Sequence, residues 1–281
     1  MAFLTDNFTG SAGNLVSHTA DSGESWTHLT TTSQAQLSGS GTVYGVTAAG
    51  LYDVFSSSNT PSSADYAVRM TMKNLSVLGA GQLGVIGRLT GTTPTTFVGY
   101  LLRHNQSGGG KLELYAMTSG GGFAAMGTAY TYTPTTGDNV DLVMNGSTIS
   151  VKVNGSTVIG PFTDTTQTAA GVPAIWTADG AQTATTGIHL DAVQTLSVST
   201  VPTSYTLAGP SAGRPSVASS NFTVTLNSAA TSTVTITPSD SSGGGTFTPS
   251  SVSITTGNTT GTFTYTAGST GAKTIGTTDD A

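Results

Sequence analysis

Residues 138–160 read DNVDLVMNGSTISVKVNGSTVIG. Apolar and polar residues alternate in this stretch around two Asn-Gly pairs, Asn145-Gly146 and Asn154-Gly155. An Asn-Gly pair between alternating residues is the strongest short-range signal for a β-hairpin, because both residues tolerate the positive φ angles of a two-residue turn. The stretch therefore predicts three antiparallel strands joined by two tight turns.

The two turns also predict a register. With the first Asn-Gly pair as the loop, Leu142 is opposite Ile149, and with the second pair as the loop, Val151 is opposite Val158. Both hairpins then place apolar side chains on one face, so they agree on which side belongs to the core. This agreement predicts a β-meander and argues against a helix.

The rest of the chain also reads as short strands. Residues 66–72 (YAVRMTM) alternate, and residues 111–117 (KLELYAM) alternate with Leu112 and Leu114 facing inward. Residues 187–196 (GIHLDAVQTL) end the first strand-rich region. Many short strands with turn signals about 8–12 residues apart indicate a β-sandwich.

Charged residues are scarce in this chain. They make up 8% of it, against about 25% in an average globular protein. The net charge is -6 with only 8 Lys and Arg residues, so the basic stripe that would neutralise phosphates is missing and we expect no nucleic-acid binding. The absence of cysteine excludes disulfides, thiolate zinc sites and a cysteine nucleophile.

The first residues, MAFLTDNFTG, lack the basic and apolar regions of a secretory signal peptide. No run approaches the ~20 apolar residues of a membrane span, so we expect no membrane insertion. These features predict a soluble chain made in a host cytoplasm. The surface, rich in Ser, Thr, Gly and Asn, is instead typical of extracellular β-proteins. A virion protein, made inside the cell and later found outside it, satisfies both expectations.

A domain boundary is predicted at residues 200–204 (TVPTS), where Pro202 follows the last strand and tryptophan disappears from the composition. We therefore expect one domain at residues 1–200 and a smaller antiparallel sandwich at residues 204–281. The second domain holds only about 75 residues, which is near the lower limit for an independent core.

The first domain resembles the concanavalin A-like jelly-roll superfamily over about residues 3–198. Three segments carry the resemblance: DNFTG near the start, VDLVMNGSTISVKVNGSTVIG in the middle and GIHLDAVQTL at the end. The resemblance implies that the first and last strands pair and bring Asp6 close to Asp191. Two such carboxylates, together with backbone carbonyls, would offer a Ca²⁺ site, since hard cations favour oxygen ligands. Alternatively, Asp6 caps a turn, Asp191 lies in an edge loop, and the protein has no cofactor.

The second domain resembles bacterial and phage Ig-like domains, through FTVTL, TVTITPSDSSGGGTFTPSSVSIT and GTFTYT. The pair of domains is similar to virion accessory proteins of tailed phages, which implies a capsid decoration or a head or tail fibre protein. We expect one domain to bind major capsid or other virion proteins and the other to project towards host-surface glycans. A homo-oligomer, with a trimer as the specific guess, follows from particle symmetry. The alternative is a carbohydrate-binding or adhesion module of a secreted bacterial protein.

No residue pattern predicts catalysis. The histidines form no zinc-binding motif and are expected on the surface or on strand faces: His18, His28, His104 and His189. Jelly-roll glycosidases usually show an E-x-D-x-x-E strand, whereas Glu24 and Glu113 are the only glutamates here and both are isolated. We therefore predict a non-enzymatic protein with no catalytic, cofactor-binding or metal-binding residues.

Glycines and aromatic residues give two further patterns. The glycine runs do not match a phosphate-binding loop and predict turns: Gly108–Gly110, Gly120–Gly122 and Gly243–Gly245. Four aromatic residues are candidates for stacking on a sugar ring, although a buried core position is the commoner role of such residues: Trp26, Trp176, Tyr100 and Tyr115.

Overall fold

The computed structural model describes residues 3–30, 35–46, 51–76, 81–106, 109–178, 180, 182–198, 202, 204–228, 230 and 233–279. The chain divides into two compact units, Met1–Val198 (unit 1) and Ser199–Ala281 (unit 2). Across these described ranges the regular structure is β-strand apart from a 3-10 turn at Leu15–Ser17, which confirms the all-β prediction. No helix in the described ranges has the length and apolar character needed to cross a membrane.

Unit 1 consists of short antiparallel strands. In chain order they are Thr5–Asp6 (β1), Gly13–Asn14 (β2), Trp26–His28 (β3), Gln36–Leu37 (β4), Val43–Tyr44 (β5), Tyr52–Ser57 (β6), Tyr66–Asn74 (β7), Gln82–Thr90 (β8), Val98–Asn105 (β9), Lys111–Thr118 (β10), Gly122–Ala125 (β11), Tyr130–Thr131 (β12), Asn139–Asn145 (β13), Thr148–Val153 (β14), Ser156–Thr163 (β15), Val172–Ala178 (β16) and Ile188–Ser197 (β17).

These strands form two sheets. Sheet I has the order β15-β14-β13-β7-β17-β5-β4-β2, with β1 also paired to β17. Sheet II has the order β11-β10-β9-β8-β16-β6-β3, with β12 also paired to β10. The first strand therefore pairs with the last, as expected, and Asp6 lies opposite Val193.

One apolar core joins the two sheets into a jelly-roll sandwich. Sheet I contributes Val68, Met70 and Leu142, and sheet II contributes Leu112 and Leu114. The inward direction predicted for the two leucines of β10 is confirmed. Since successive side chains of a strand point to opposite faces, the alternation in β7 and β10 leaves their polar residues on the outer surfaces.

The first predicted turn is wrong by one residue, which shifts the cross-strand register by two residues. Leu142 lies opposite Val151 rather than Ile149, and the loop is Gly146-Ser147. Gly146 has a φ angle of 54°, and a glycine at the first loop position satisfies a tight hairpin turn. A shift of two residues equals the side-chain period of a strand, so the same side chains still face the core.

The second predicted turn is confirmed. Asn154 and Gly155 form the loop with φ angles of 48° and 85°. A β-bulge at Val158 in β15 then shifts the register, so Val151 lies opposite Ile159 instead of Val158. The bulge adds one residue to one strand of the pair, and it brings Ile159 rather than Val158 into the buried core.

Unit 2 is a smaller two-sheet structure. Its strands are Tyr205–Ala208 (β18), Phe222–Leu226 (β19), Val234–Asp240 (β20), Thr246–Thr248 (β21), Val252–Ile254 (β22), Thr260–Thr266 (β23) and Ile275–Asp279 (β24). One sheet has the order β18-β19-β23-β21 and the other β22-β20-β24. Both sheets contribute to one apolar cluster, for example through Val224 and Ile236. The Ig-like assignment of this unit remains a prediction.

Candidate functional site

Sheet II carries buried apolar residues on both of its faces. One face packs into the core of unit 1, and we call the opposite one the outer face. The outer face holds a separate cluster of buried residues, formed by Val54, Ile86, Leu89, Phe97, Leu101, Met117, Ala174, Trp176 and Ala178. Partly buried side chains pack against this cluster, among them Tyr52 and Tyr115.

Four aromatic side chains of the outer face contact one another, and we call them the aromatic cluster. Tyr52 stacks on Trp176, with ring centroids 6.2 Å apart and planes inclined by 22°. Phe123 meets Tyr52 edge-on at 5.6 Å and Tyr115 edge-on at 6.4 Å. Trp176 is buried, Tyr52 and Tyr115 are half-buried, and the Phe123 side chain is 37% exposed. The cluster thus extends from the interior of the face to solvent.

Arg103 connects this cluster to a polar group. Its Cζ lies 4.8 Å from the ring centroid of Tyr115 and 5.4 Å from that of Trp176. Its Nε donates to Oε2 of Glu113 at 2.7 Å, and Nη2 donates to the Tyr115 hydroxyl at 3.0 Å. Such cation–π contacts contribute about 0.5–2 kcal/mol each, and the ion pair fixes the plane of the guanidinium.

The strand register explains why these residues meet. Arg103 is opposite Glu113 on β10, and it is opposite Gly84 on β8. Gly84 is also opposite Trp176 on β16, so it separates the arginine from the tryptophan in the sheet. Because Gly84 has no side chain, nothing stands between the guanidinium and the indole ring. A Cβ at this position would lie 2.8 Å from the Arg103 Cα, so the close strand approach also requires glycine.

The indole nitrogen of Trp176 is a buried donor. Within the described part of the chain, Nε1 of Trp176 has no hydrogen-bond acceptor. The other indole differs, since Nε1 of Trp26 donates to Oδ2 of Asp6 at 2.7 Å. Leaving a buried donor unpaired costs about 1–3 kcal/mol, so such an atom in a native structure points to an acceptor supplied by solvent or a ligand.

Sequence reasoning found only part of this site. Trp26, Trp176 and Tyr100 are buried, as the commoner role of aromatic residues suggested, and Tyr115 is half-buried. Arg103 and the other two aromatic residues of the cluster were missed. The alternation of residues 111–117 does place Glu113 and Tyr115 on the face opposite Leu112, but no local signal indicates which strands neighbour β10.

Asp6 is buried and acts within the fold. Its Oδ1 accepts from the Phe8 backbone N–H at 2.8 Å and lies 2.8 Å from Nε2 of His18, while Oδ2 accepts from Trp26. The bond to Phe8 is a turn cap of the kind that aspartate commonly forms. Asp191 lies in β17 at a bulge rather than in an edge loop. Among the described residues no three His, Asp or Glu side chains are grouped to hold a metal.

The histidines lie in the interior or at its edge. His18 and His28 are half-buried, with Nε2 atoms 2.8 Å from Asp6 and Asp53 respectively. His104 and His189 are buried on strands β9 and β17, so the predicted surface alternative is wrong for both. Burial lowers the pKa of His104 to about 4, and burial also lowers the pKa of His189.

The remaining candidates have structural contacts. Glu24 accepts hydrogen bonds from Ser22 and Asn59, and Glu113 belongs to the Arg103 pair described above. Positive φ angles occur in all three glycine runs, as turns require, for example at Gly109, Gly120 and Gly243. Gly108 lies outside the described residues.

Comparisons with known proteins give similarity of structure only. No family model matches the chain, and no curated protein matches it. The carbohydrate-binding module CBM66 from Bacillus subtilis is 15% identical with a TM-score of 0.45, covering 61% of this chain and 95% of that one. A β-glucanase from Bacillus licheniformis is 13% identical with a TM-score of 0.44, covering 68% and 100%. The galectin LEC-6 of Caenorhabditis elegans is 19% identical with a TM-score of 0.34, covering 47% and 83%.

Proposed function

We propose that unit 1 binds neutral glycans on the outer face of sheet II, through the aromatic cluster and the Arg103–Glu113 pair. The observation that carries this proposal is the contact of Arg103 with both Tyr115 and Trp176 beside the exposed ring of Phe123. The contact places apolar rings and hydrogen-bonding groups side by side, and a sugar presents these same two kinds of surface.

The rings provide the apolar half of the site. One face of a pyranose ring consists of C–H groups and packs against aromatic side chains. Phe123 is 37% exposed at the edge of the cluster, Tyr52 and Tyr115 are half-buried, and the Tyr115 hydroxyl accepts a hydrogen bond from Arg103. Tyrosine combines an apolar body with a polar tip, which suits a ligand that is partly apolar and partly hydroxylated.

The polar groups provide the other half. Arg103 offers further N–H donors, Glu113 offers acceptors, and Nδ2 of Asn105 lies 3.4 Å from Oε2 of Glu113. Because Arg103 and Glu113 compensate each other in charge, the face favours a neutral ligand over an ionic one. The Nε1–H of Trp176 is a further donor that lacks a described partner.

We propose binding without hydrolysis. Glycosidic cleavage needs two carboxyl groups about 5–9.5 Å apart across the bond. The sequence lacks the E-x-D-x-x-E strand expected of jelly-roll glycosidases, and the carboxylate of Glu113 is engaged by Arg103. An assay for reducing ends after incubation with each bound glycan tests this part, and release of reducing ends would overturn it.

The biological setting of the proposed binding comes from the sequence alone. We propose a virion accessory protein that attaches through one unit and presents the other to host glycans. The test is to add the chain to particles stripped of accessory proteins and to image them. The alternative is a carbohydrate-binding module of a secreted bacterial protein. Ordered density on the particles supports the first setting, and its absence together with glycan binding supports the second.

The proposed function is tested by a glycan array followed by affinity measurements on the best ligand. We expect Phe123→Ala and Arg103→Ala each to weaken binding by at least about tenfold, through lost ring contact and lost donors. Leu75→Ala and Arg69→Ala are the matched controls. Leu75 is a similarly exposed apolar residue directly after β7, and Arg69 forms a comparable ion pair with Asp141. Equal losses in variants and controls would contradict the proposal.

A further inference from the structure

Unit 2 contains a cavity of about 330 Å³. Residues from two segments, 210–219 and 265–275, line it together with Phe222. Ligand pockets span roughly 300–1,000 Å³, so this volume suits a ligand the size of a single sugar or amino acid. The cavity belongs to unit 2 alone and shares no residue with the outer face of unit 1.

The charged side chains that line the cavity are positive, whereas the chain as a whole has a negative net charge. Arg214 and Lys273 both line it, and they are the only Lys or Arg residues in the sequence from residue 199 onward. No Asp or Glu is among the lining residues. In a chain with a net charge of -6, two cations at one small cavity create a local positive potential that attracts an anion.

Neither cation is neutralised by an ion pair in the described part of the chain. The contacts of Lys273 are with neutral oxygens, 3.4 Å from Nζ to the Gly243 carbonyl and 3.4 Å to the Ser269 hydroxyl. The nearest acid to act on Lys273 electrostatically is Asp240, which accepts a hydrogen bond from the lining residue Tyr265 but is not itself among the lining residues. Ser242 first, then Tyr265, lower the pKa of Asp240 to about 2, and Lys273 contributes less.

The rest of the lining is apolar or hydroxylated. Phe222, Tyr265 and Ile275 provide apolar surface, and Val217 is 56% exposed. Hydroxyl groups come from Ser211, Ser219, Ser269 and Thr270. A bare inorganic anion would leave the apolar wall unused, whereas an aliphatic acid would leave the hydroxyl groups unused. A ligand with a carboxylate, a hydroxylated edge and an apolar face uses all three.

We propose that this cavity binds an acidic sugar, with its carboxylate between Arg214 and Lys273 and its ring against the apolar wall. The proposal goes beyond the glycan binding of unit 1 and does not depend on it. It assigns to the two units ligands of different charge: neutral sugars to unit 1 and carboxylate sugars to unit 2.

The test is a titration of the ¹⁵N-labelled full chain with glucuronate, with glucose and acetate as comparison probes. We expect saturable shifts at residues lining the cavity with glucuronate, weaker binding of acetate and none of glucose. Arg214→Ala and Lys273→Ala should each weaken glucuronate binding by at least about tenfold, and added salt should weaken it as well. Lys152→Ala, a lysine of unit 1, is the matched control and should bind as the unmodified chain does.

Four results would overturn the proposal. Glucose binding as tightly as glucuronate would show that the carboxylate plays no part, and acetate binding as tightly would show that the ring plays none. Shifts that survive both substitutions, or no saturable shift at all, would remove the site. None of these outcomes affects unit 1, because its signals report on a different set of residues.

Discussion

The guanidinium of Arg103 lies over the indole ring of Trp176, with 5.4 Å between Cζ and the ring centroid. Arg103 is partly exposed and Trp176 is buried, so the contact links the surface of sheet II to its interior. A ligand that hydrogen-bonds to Arg103 would change the position or charge distribution of the guanidinium above the indole. We therefore expect binding at the surface to change the signal of the buried Trp176 indole.

The conformation of the second hairpin turn predicts how much stability is lost when Gly155 is replaced by alanine. Gly155 has a φ angle of 85° and open space around its Cα, so Gly155→Ala introduces backbone strain and no clash. We expect a loss of about 1 kcal/mol in the free energy of unfolding, measured by urea denaturation. Gly13→Ala is the control, because Gly13 is also uncrowded but lies outside the left-handed region. Equal stabilities of the two variants would contradict the assigned turn.

Burial of His104 predicts a loss of stability in mild acid. Since burial lowers the pKa of His104 from 6.5 to about 4, the unfolded chain takes up a proton between these pH values and the folded chain does not. Stability should therefore fall by about 2 kcal/mol from this residue as the pH drops from about 7 to about 5. In the His104→Phe variant, which keeps a ring against Tyr132, stability should not show this part of the fall. A fall of the same size in both proteins would show that His104 is not responsible.

The buried carboxylate of Asp6 predicts a large cost for its removal. Asp6→Ala leaves the Trp26 indole and the Phe8 backbone N–H without their acceptor. We expect a loss of about 3 kcal/mol in the free energy of unfolding. Asp191→Ala removes a half-buried carboxylate and should cost less than about 1 kcal/mol. A reversed order of the two losses would contradict the role given to Asp6.

The same hydrogen bonds predict the response to a chelator. Both Asp6 oxygens already accept hydrogen bonds or face His18, which leaves this carboxylate poorly placed to bind Ca²⁺ together with Asp191. We expect the melting temperature of the full chain to be the same in excess EDTA and in excess Ca²⁺. A rise with Ca²⁺ that Asp191→Ala abolishes would instead support the calcium site.

Local sequence signals predicted the meander because its turns depend on few residues. Asn154 and Gly155 supply two positive φ angles, so that loop follows from their identities. The first hairpin uses only the glycine of its Asn-Gly pair, and Ser147 completes the loop. The bulge at Val158 has no sequence signal of its own, because it follows from how β15 fits against its neighbour β14.

The candidate site was less predictable because its residues come from distant parts of the chain. Tyr52, Arg103 and Trp176 lie on β6, β9 and β16, and only the strand order of sheet II brings them together. Alternation within one strand assigns each residue to a face, but it does not say which strands are neighbours. The ion pair of Arg103 with Glu113 was not predicted either, because charged residues are scarce and neither residue stands in a recognisable motif.

The most direct test of glycan binding by unit 1 uses the two tryptophan indole N–H signals of the full chain. The best neutral ligand from the array is titrated into ¹⁵N-labelled protein, and both signals are followed. We predict that the Trp176 signal shifts saturably with the affinity measured for the glycan, while the Trp26 signal, held by Asp6, does not move. Saturable glycan binding that leaves the Trp176 signal unchanged would contradict the proposed site.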